Sequence, residues 1–235
     1  MIAVIVPLCN TAARVPLEAR GRDMLKENLR QSQKGSGYVL PRTASNGMKK
    51  IILASASPRR KEILKKLRLP FTTEESGYEE DLGLKLKPRS LAKHLALMKA
   101  EAVARRRKNA IVIGADTIVV LKGKVLGKPK NASDARKMLS QLSGNIHTVI
   151  TGFAIIDVKT GEKVSKAVET RVYFRELDKR EISDYMKTGE PQGKAGAYAI
   201  QGFGAVLIKK IEGDYYNVVG LPLSALREEL NRILE

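Results

Sequence analysis

Within six residues, Ser55-Ala56-Ser57-Pro58-Arg59-Arg60 sets two hydroxyls and two guanidiniums where a short apolar run hands over to a helix start. Free backbone N–H groups, the positive end of a helix dipole and two bidentate cations are what a phosphate chain requires. The GK[ST] ending of a Walker loop is absent, so any phosphate site here is of another kind. Two arginines in a first turn oppose the dipole, which calls for a compensating anion. The alternative is a capped helix with a solvated basic turn. Carboxylates come from two places. Gly114-Ala115-Asp116-Thr117 reads as the end of a strand segment that projects an acid from a sheet edge into a cleft, and Glu79-Glu80 follows the Ser76-Gly77 turn. A pair of acids facing a phosphate site would hold Mg²⁺ or Mn²⁺ through oxygen ligands, although Glu79-Glu80 taken alone reads as a solvated loop. Lys128, between Gly127 and Pro129, is held by a flexible and a rigid neighbour. Lys99 lies on the apolar side of its helix beside Met98 and Ala102, as a cleft-facing or buried ammonium. In Lys194 to Gly202, glycines permit close backbone approach, and Gln201 offers a donor and an acceptor to a base edge.

These residues need a scaffold, and the hydrophobic pattern supplies one. Ile51-Ile52-Leu53-Ala54 suits a strand buried on both faces. Ser57 caps the next helix with Pro58 at its first position, and Ile63, Leu64 and Leu67 follow at helical spacing. Phe71 to Glu75 is a candidate strand. Arg89 to Arg107 is the clearest helix, with Leu91, Leu95, Met98 and Ala102 as its apolar stripe. Strand pattern covers Ala110 to Gly114 and Thr117 to Leu121, with a tight turn at Lys122-Gly123-Lys124. A capped helix runs from Ser133 to Leu142, and a β-hairpin joins Ile146–Asp157 to Lys163–Phe174 around Lys159-Thr160-Gly161. Lys179 to Lys187 is a helix stopped by Gly189, Ala205 to Ile211 a strand, and Ser224 to Leu234 a closing helix. Strands outnumber those of a strict βαβ repeat, so the expected class is α/β with a mixed sheet.

Composition narrows the chemistry. The 235 residues include 43 Lys and Arg against 25 Asp and Glu, a formal charge of +18, with 43% apolar content. That apolar fraction can bury a real core, which excludes disorder over the whole length. No apolar run reaches the ~20 residues of a membrane-spanning helix, so no membrane partner is expected. The single cysteine, Cys9, excludes an internal disulfide framework and a Cys-rich zinc site, and points to a reducing, cytoplasmic setting. With His94 and His147 the only histidines, a His-rich metal centre or Ser-His-Asp triad is disfavoured. The charge invites a nucleic-acid partner, yet there is no zinc finger or helix-turn-helix signature and aromatics make up only 5%. Residues 1–47 read as an N-terminal extension, a leader or a mis-assigned start, because Met48-Lys49-Lys50 followed by the first apolar strand reads as a natural beginning. Residues 48–235 then form the working domain.

The same segments, taken jointly and in order, resemble the Maf family of nucleoside triphosphate pyrophosphatases. The resemblance is carried by Leu53 to Arg60, Gly114 to Thr117, Leu126 to Pro129, Leu142 to His147 with Thr151-Gly152, Lys194 to Gly202 and Gly213 to Pro222. It implies a Maf/ITPase-like mixed sheet flanked by helices, with two lobes around a nucleotide cleft. The implied reaction is metal-dependent hydrolysis of a nucleoside triphosphate between its α- and β-phosphates. By resemblance, Asp116 is the base or a metal-held carboxylate, and Glu80, of the pair Glu79-Glu80, is the cleft glutamate; the two would hold Mg²⁺ or Mn²⁺. Ser55, Ser57, Arg59 and Arg60 would grip the triphosphate, Lys99 and Lys128 would complete the charge clamp, and Thr117 and Gln201 would select the base. The Lys-Ala-Gly-Ala-Tyr…Gln-Gly form resembles the branch acting on dTTP and UTP. A homodimer is left open, and His147, although it lies in a motif of the family, reads as structural, hydrogen-bonding near a loop. Two other readings stand beside it: a basic nucleic-acid-binding protein, and a non-catalytic regulator of cell division.

Overall fold

Seven segments of three to twelve residues, most of them too short or too β-branched for helices, assemble into one sheet. The computed structural model describes residues 49–235, so the expectations for residues 1–47 lie outside the described residues. In chain order the elements are β1 (Lys50–Leu53), α1 (Pro58–Lys65), β2 (Phe71–Thr73), α2 (Pro88–Ala104), β3 (Ala110–Leu121) and β4 (Lys124–Leu126). They continue with α3 (Ala132–Leu142), β5 (Ile146–Asp157), β6 (Lys163–Phe174), α4 (Lys179–Lys187), β7 (Ile208–Glu212), α5 (Tyr215–Val219) and α6 (Leu223–Leu234). The sheet order is β2-β1-β3-β5-β6-β7, with β4 paired to β3. β1 runs parallel to β2 and β3, and the remaining pairs are antiparallel, which makes the sheet mixed as expected.

Side chains alternate between the faces of a strand, so one strand builds two cores. Val112 of β3 packs with Ala154 and Ile156 of β5 against Ala100 and Val103 of α2. On the other face Ile111, Ile113 and Ala115 meet Phe153 and Ile155 beneath α1 and α6. Further along that second face Val119 and Val149 join a separate cluster with Leu139 of α3 and Tyr185 of α4. The two clusters on this face are the two lobes, and the long strands β3 and β5 run through both.

The hairpin β5–β6, α4 and the Ser57 cap lie where the pattern puts them; Ser57 Oγ accepts the Arg60 N–H at 3.5 Å. Four expectations are corrected. Gly114 to Thr117 is not a strand end at a sheet edge: β3 is continuous through Asp116 and lies inside the sheet, because Ala115 and Ile118 are as apolar and buried as their neighbours. The apolar stripe of α2 is rotated, with Ala92, Ala96, Ala100 and Val103 buried beside Leu91 and Leu95, while Met98 and Ala102 are half-buried. Small residues take this face because the helix lies unusually close to the sheet. The α3 cap is Asn131, whose side chain accepts the Asp134 N–H. Ala205 to Leu207 belongs to a 3₁₀ turn, Phe203–Leu207, and only Ile208–Glu212 is strand, because Gly202 and Gly204 break the extended pattern. The short elements β4 and α5 were not legible in the pattern.

Candidate active site

β1 pairs with β3 only as far as Ile113, and β4 joins the same edge only from Val119. Between them, β3 has a gap in its pairing. Both faces of the sheet open there into one cleft of about 550 Å³. The break explains how consecutive residues on opposite faces of β3, Asp116 and Thr117, both line it. All ten residues singled out from the sequence line this cleft: Ser55, Ser57, Arg59, Arg60, Glu80, Lys99, Asp116, Thr117, Lys128 and Gln201.

On the α2 side, Lys99 is buried and divides its ammonium between two carboxylates, Asp116 Oδ1 at 2.5 Å and Glu80 Oε1 at 2.7 Å. Lys128 Nζ reaches the same Glu80 at 3.0 and 3.2 Å, from the exposed turn after β4. Glu80 therefore turns inward, and Glu79 is exposed. Burial raises the Asp116 pKa above its ordinary value, against the pull of Lys99 and Arg60. Burial also acts on Glu80, but the bonds from Lys99 and Lys128 outweigh it and leave that carboxyl below its ordinary value. The two carboxyls are thus shifted in opposite directions, Asp116 by burial and Glu80 by its lysine partners.

On the other face the arginine pair divides its work. Arg60 donates from Nε to Gly220 O at 2.8 Å and from Nη2 to Thr117 Oγ1 at 3.1 Å, with Ser55 Oγ at 3.4 Å. Its partners in this structure are a carbonyl and two hydroxyls, which take three of the guanidinium's five N–H groups. Burial lowers the pKa of Arg60, with Asp116 and Glu80 opposing. Arg59 is half-buried at the cleft wall, and burial lowers its pKa against the charge of Glu190. Arginine stays protonated through such shifts.

Residues to which the sequence reading gave no role complete the site. Thr151 Oγ1 lies 2.9 Å from Thr117 Oγ1 and donates to Asn217 O at 2.8 Å. Fully buried Asn217 accepts the Thr151 N–H and donates to Val149 O and Thr170 Oγ1. This network ties Arg60 and Thr117 to α5. Its signal was present in Thr151-Gly152 and in Tyr216-Asn217-Val218, since a buried amide in an apolar segment must be bonded. Lys194 also lines the cleft. His147 is structural: it is buried, its Nε2 lies 2.7 Å from Tyr198 Oη, and burial lowers its pKa to about 4.

Two convergent carboxylates form a hard-oxygen donor set that fits Mg²⁺ or Mn²⁺ completed by waters and substrate oxygens. No cluster of three or more His, Cys, Asp or Glu able to hold a metal occurs among the described residues. Also among the described residues, no helix is long and apolar enough to cross a membrane.

A cleft lined by Arg59, Arg60, Lys99 and Lys128 with the buried Asp116 fits the motif resemblance, and comparison with known proteins decides the family. Residues 50–233 match the family described as Maf-like protein. The chain belongs to the Maf family. It is 50% identical over 186 residues to the dTTP/UTP pyrophosphatase of Alkaliphilus metalliredigens (strain QYMF), covering 79% of this chain and 96% of that one. It is 52% identical over 184 residues to the dTTP/UTP pyrophosphatase of Thermoanaerobacter sp. (strain X514), covering 78% and 96% respectively. Among solved structures, the Staphylococcus aureus Ham1 protein matches with a TM-score of 0.48 and 12% identity, over 78% of this chain and 99% of that one. The Maf match begins at the start of β1 and ends within α6.

Proposed function

We propose that this Maf family member is an enzyme that hydrolyses dTTP and UTP between the α- and β-phosphates, giving the nucleoside monophosphate and pyrophosphate. The observation that carries the reading is Lys99 held between Asp116 and Glu80 in a cleft whose other wall presents Arg59 and Arg60. Full-length relatives with about 50% identity bear the dTTP/UTP pyrophosphatase name, which supports the substrate class.

In the proposed reaction the triphosphate enters along Ser55, Ser57, Arg59 and Arg60, and exchanges places with the internal acceptors of the arginine. Asp116, buried at the cleft beside Lys99, takes a proton from water as the water oxygen bonds to phosphorus and the bridging P–O bond breaks. Lys99 and Lys128 offset the negative charge that grows on the phosphoryl oxygens. Glu80 and Asp116 would hold the divalent cation, which when bound neutralises phosphate charge. Thr117 and Gln201 are assigned to the base, whose edge the Gln201 amide can meet with both a donor and an acceptor.

The test is a panel of nucleoside triphosphates with Mg²⁺ or Mn²⁺, assayed for pyrophosphate and monophosphate. Fastest turnover of dTTP and UTP is the expected result. Release of orthophosphate alone, or no turnover of any nucleotide, overturns the proposal.

A further inference from the structure

Gln201 sits in a segment, Gly193 to Leu207, that contains two short 3₁₀ turns and no strand or α-helix. A base-reading amide on such a loop is useful only if the loop is fixed. Its backbone is held by a side chain outside the cleft lining. The Glu190 carboxylate, just past the C-terminus of α4, accepts the Phe203 N–H at Oε2 and the Gly204 N–H at Oε1, both at 2.9 Å. Oε1 also accepts the Tyr185 O–H at 2.8 Å, and the Tyr185 oxygen accepts the Ala199 N–H at 3.2 Å. The chain is thus gripped two residues before Gln201 and two and three residues after it.

The sequence around Gln201 fits this grip. A Cβ on Gly202 would lie 1.8 Å from Glu190 Oε2, and one on Gly204 would lie 2.7 Å from Ala199 O and 2.9 Å from Tyr185 Oη. Both glycines leave the room that the carboxylate and phenol occupy. Phe203, between them, is exposed and anchors nothing. The Tyr185 pKa is raised by burial, with Glu190 adding to the effect, so the phenol keeps the proton it donates. The Glu190 charge also acts on Arg59, so one carboxylate is linked to both the base loop and the phosphate-binding turn.

We infer that Glu190 is a positioning residue for base selection, holding the Gln201 turn rigid through backbone N–H groups with Tyr185 as its relay. The inference rests on the proposed dTTP/UTP reading for its kinetic part. The experiment compares wild type with Glu190→Gln, which keeps the shape but cannot accept at both ends, and with Tyr185→Phe. Three quantities are read on the full chain: the kcat/KM ratio of dTTP to dCTP, inhibition by inorganic tripolyphosphate, and amide hydrogen exchange at Phe203 and Gly204. Loss of one charge-assisted bond is worth about a tenfold change. The dTTP:dCTP ratio should therefore fall about tenfold in Glu190→Gln, with exchange at the two amides faster by a similar factor. Tripolyphosphate inhibition, which reads the phosphate grip without a base, should stay within about twofold; Tyr185→Phe should change in the same direction. Unchanged exchange, an unchanged ratio, or a proportional loss for every nucleotide and tripolyphosphate alike overturns the inference. If wild type splits no nucleotide, the enzymatic reading fails separately, and the exchange result alone still decides whether Glu190 holds the turn.

Discussion

Gly152→Ala tests whether the closeness of α2 to the sheet is what brings Lys99 to Asp116. Gly152 stands directly opposite Asp116 in the β3–β5 register. A Cβ there would lie 2.1 Å from Ala92 O, 2.3 Å from Ala92 C and 2.7 Å from Lys93 N, all backbone atoms of α2. No rotamer change relieves that clash, so the helix must withdraw by about 1 Å to reach ordinary contact. Overpacking of this kind costs about 1–3 kcal/mol, or more where the obstacle is backbone. For a domain of this size that lowers Tm by roughly 3–10 °C. Lys99 rides on the same helix, and a shift of about 1 Å stretches its 2.5 Å contact with Asp116 beyond good hydrogen-bond range. Misplacement on that scale costs on the order of 100-fold in kcat. The assays are thermal unfolding by circular dichroism and pyrophosphate release from dTTP at a temperature where both proteins are folded. Gly161→Ala is the control: it lies in the β5–β6 turn at φ +79 with nothing within 4 Å, so it strains the backbone without touching α2. It should lose about 1 kcal/mol and keep its kcat. A Gly152→Ala protein with wild-type Tm and wild-type kcat would refute the reasoning.

Asp116→Asn should lower turnover by at least about 100-fold while nucleotide binding, measured calorimetrically, changes little, since the cationic walls are untouched. Unchanged turnover would remove Asp116 from the chemistry. Gln201→Ala should change the ranking of bases more than it weakens inhibition by tripolyphosphate, and equal losses for all nucleotides would show that it reads no base. His147 supplies a pH-dependent stability. Its folded pKa of about 4 lies below the ordinary 6.5, so the unfolded chain binds more protons between those values and stability falls as pH drops through that window. The full loss is about 3 kcal/mol below pH 4 relative to pH 7.5. Urea unfolding at several pH values should show this fall in wild type, and a flatter profile in His147→Phe.

Sequence alone carried the α/β class, the capped turn at Ser57 and the long hairpin, because these rest on local chemistry, while the ten cleft residues were named with the help of the joint motif resemblance. A cap needs its hydroxyl beside the helix start and a hairpin needs its turn, whereas of the cleft cations only Arg59 and Arg60 are neighbours in the chain. The α2 stripe was legible in period but not in phase: Met98 looks more apolar than Ala100, yet only small residues fit where Gly114 and Gly152 draw the helix down. Tertiary structure decided the rest. A strand partner is lost on one side of β3 between Ile113 and Val119, and that gap turns an interior strand into the floor of a cleft. Which of Glu79 and Glu80 turns inward, the engagement of Arg60 by Gly220 and Thr117, and the grip of Glu190 on the Gln201 turn all join residues far apart in the chain. Periodicity reports which face of an element is apolar, but not which distant polar group will meet it; only packing of the two lobes across β3 and β5 sets those distances.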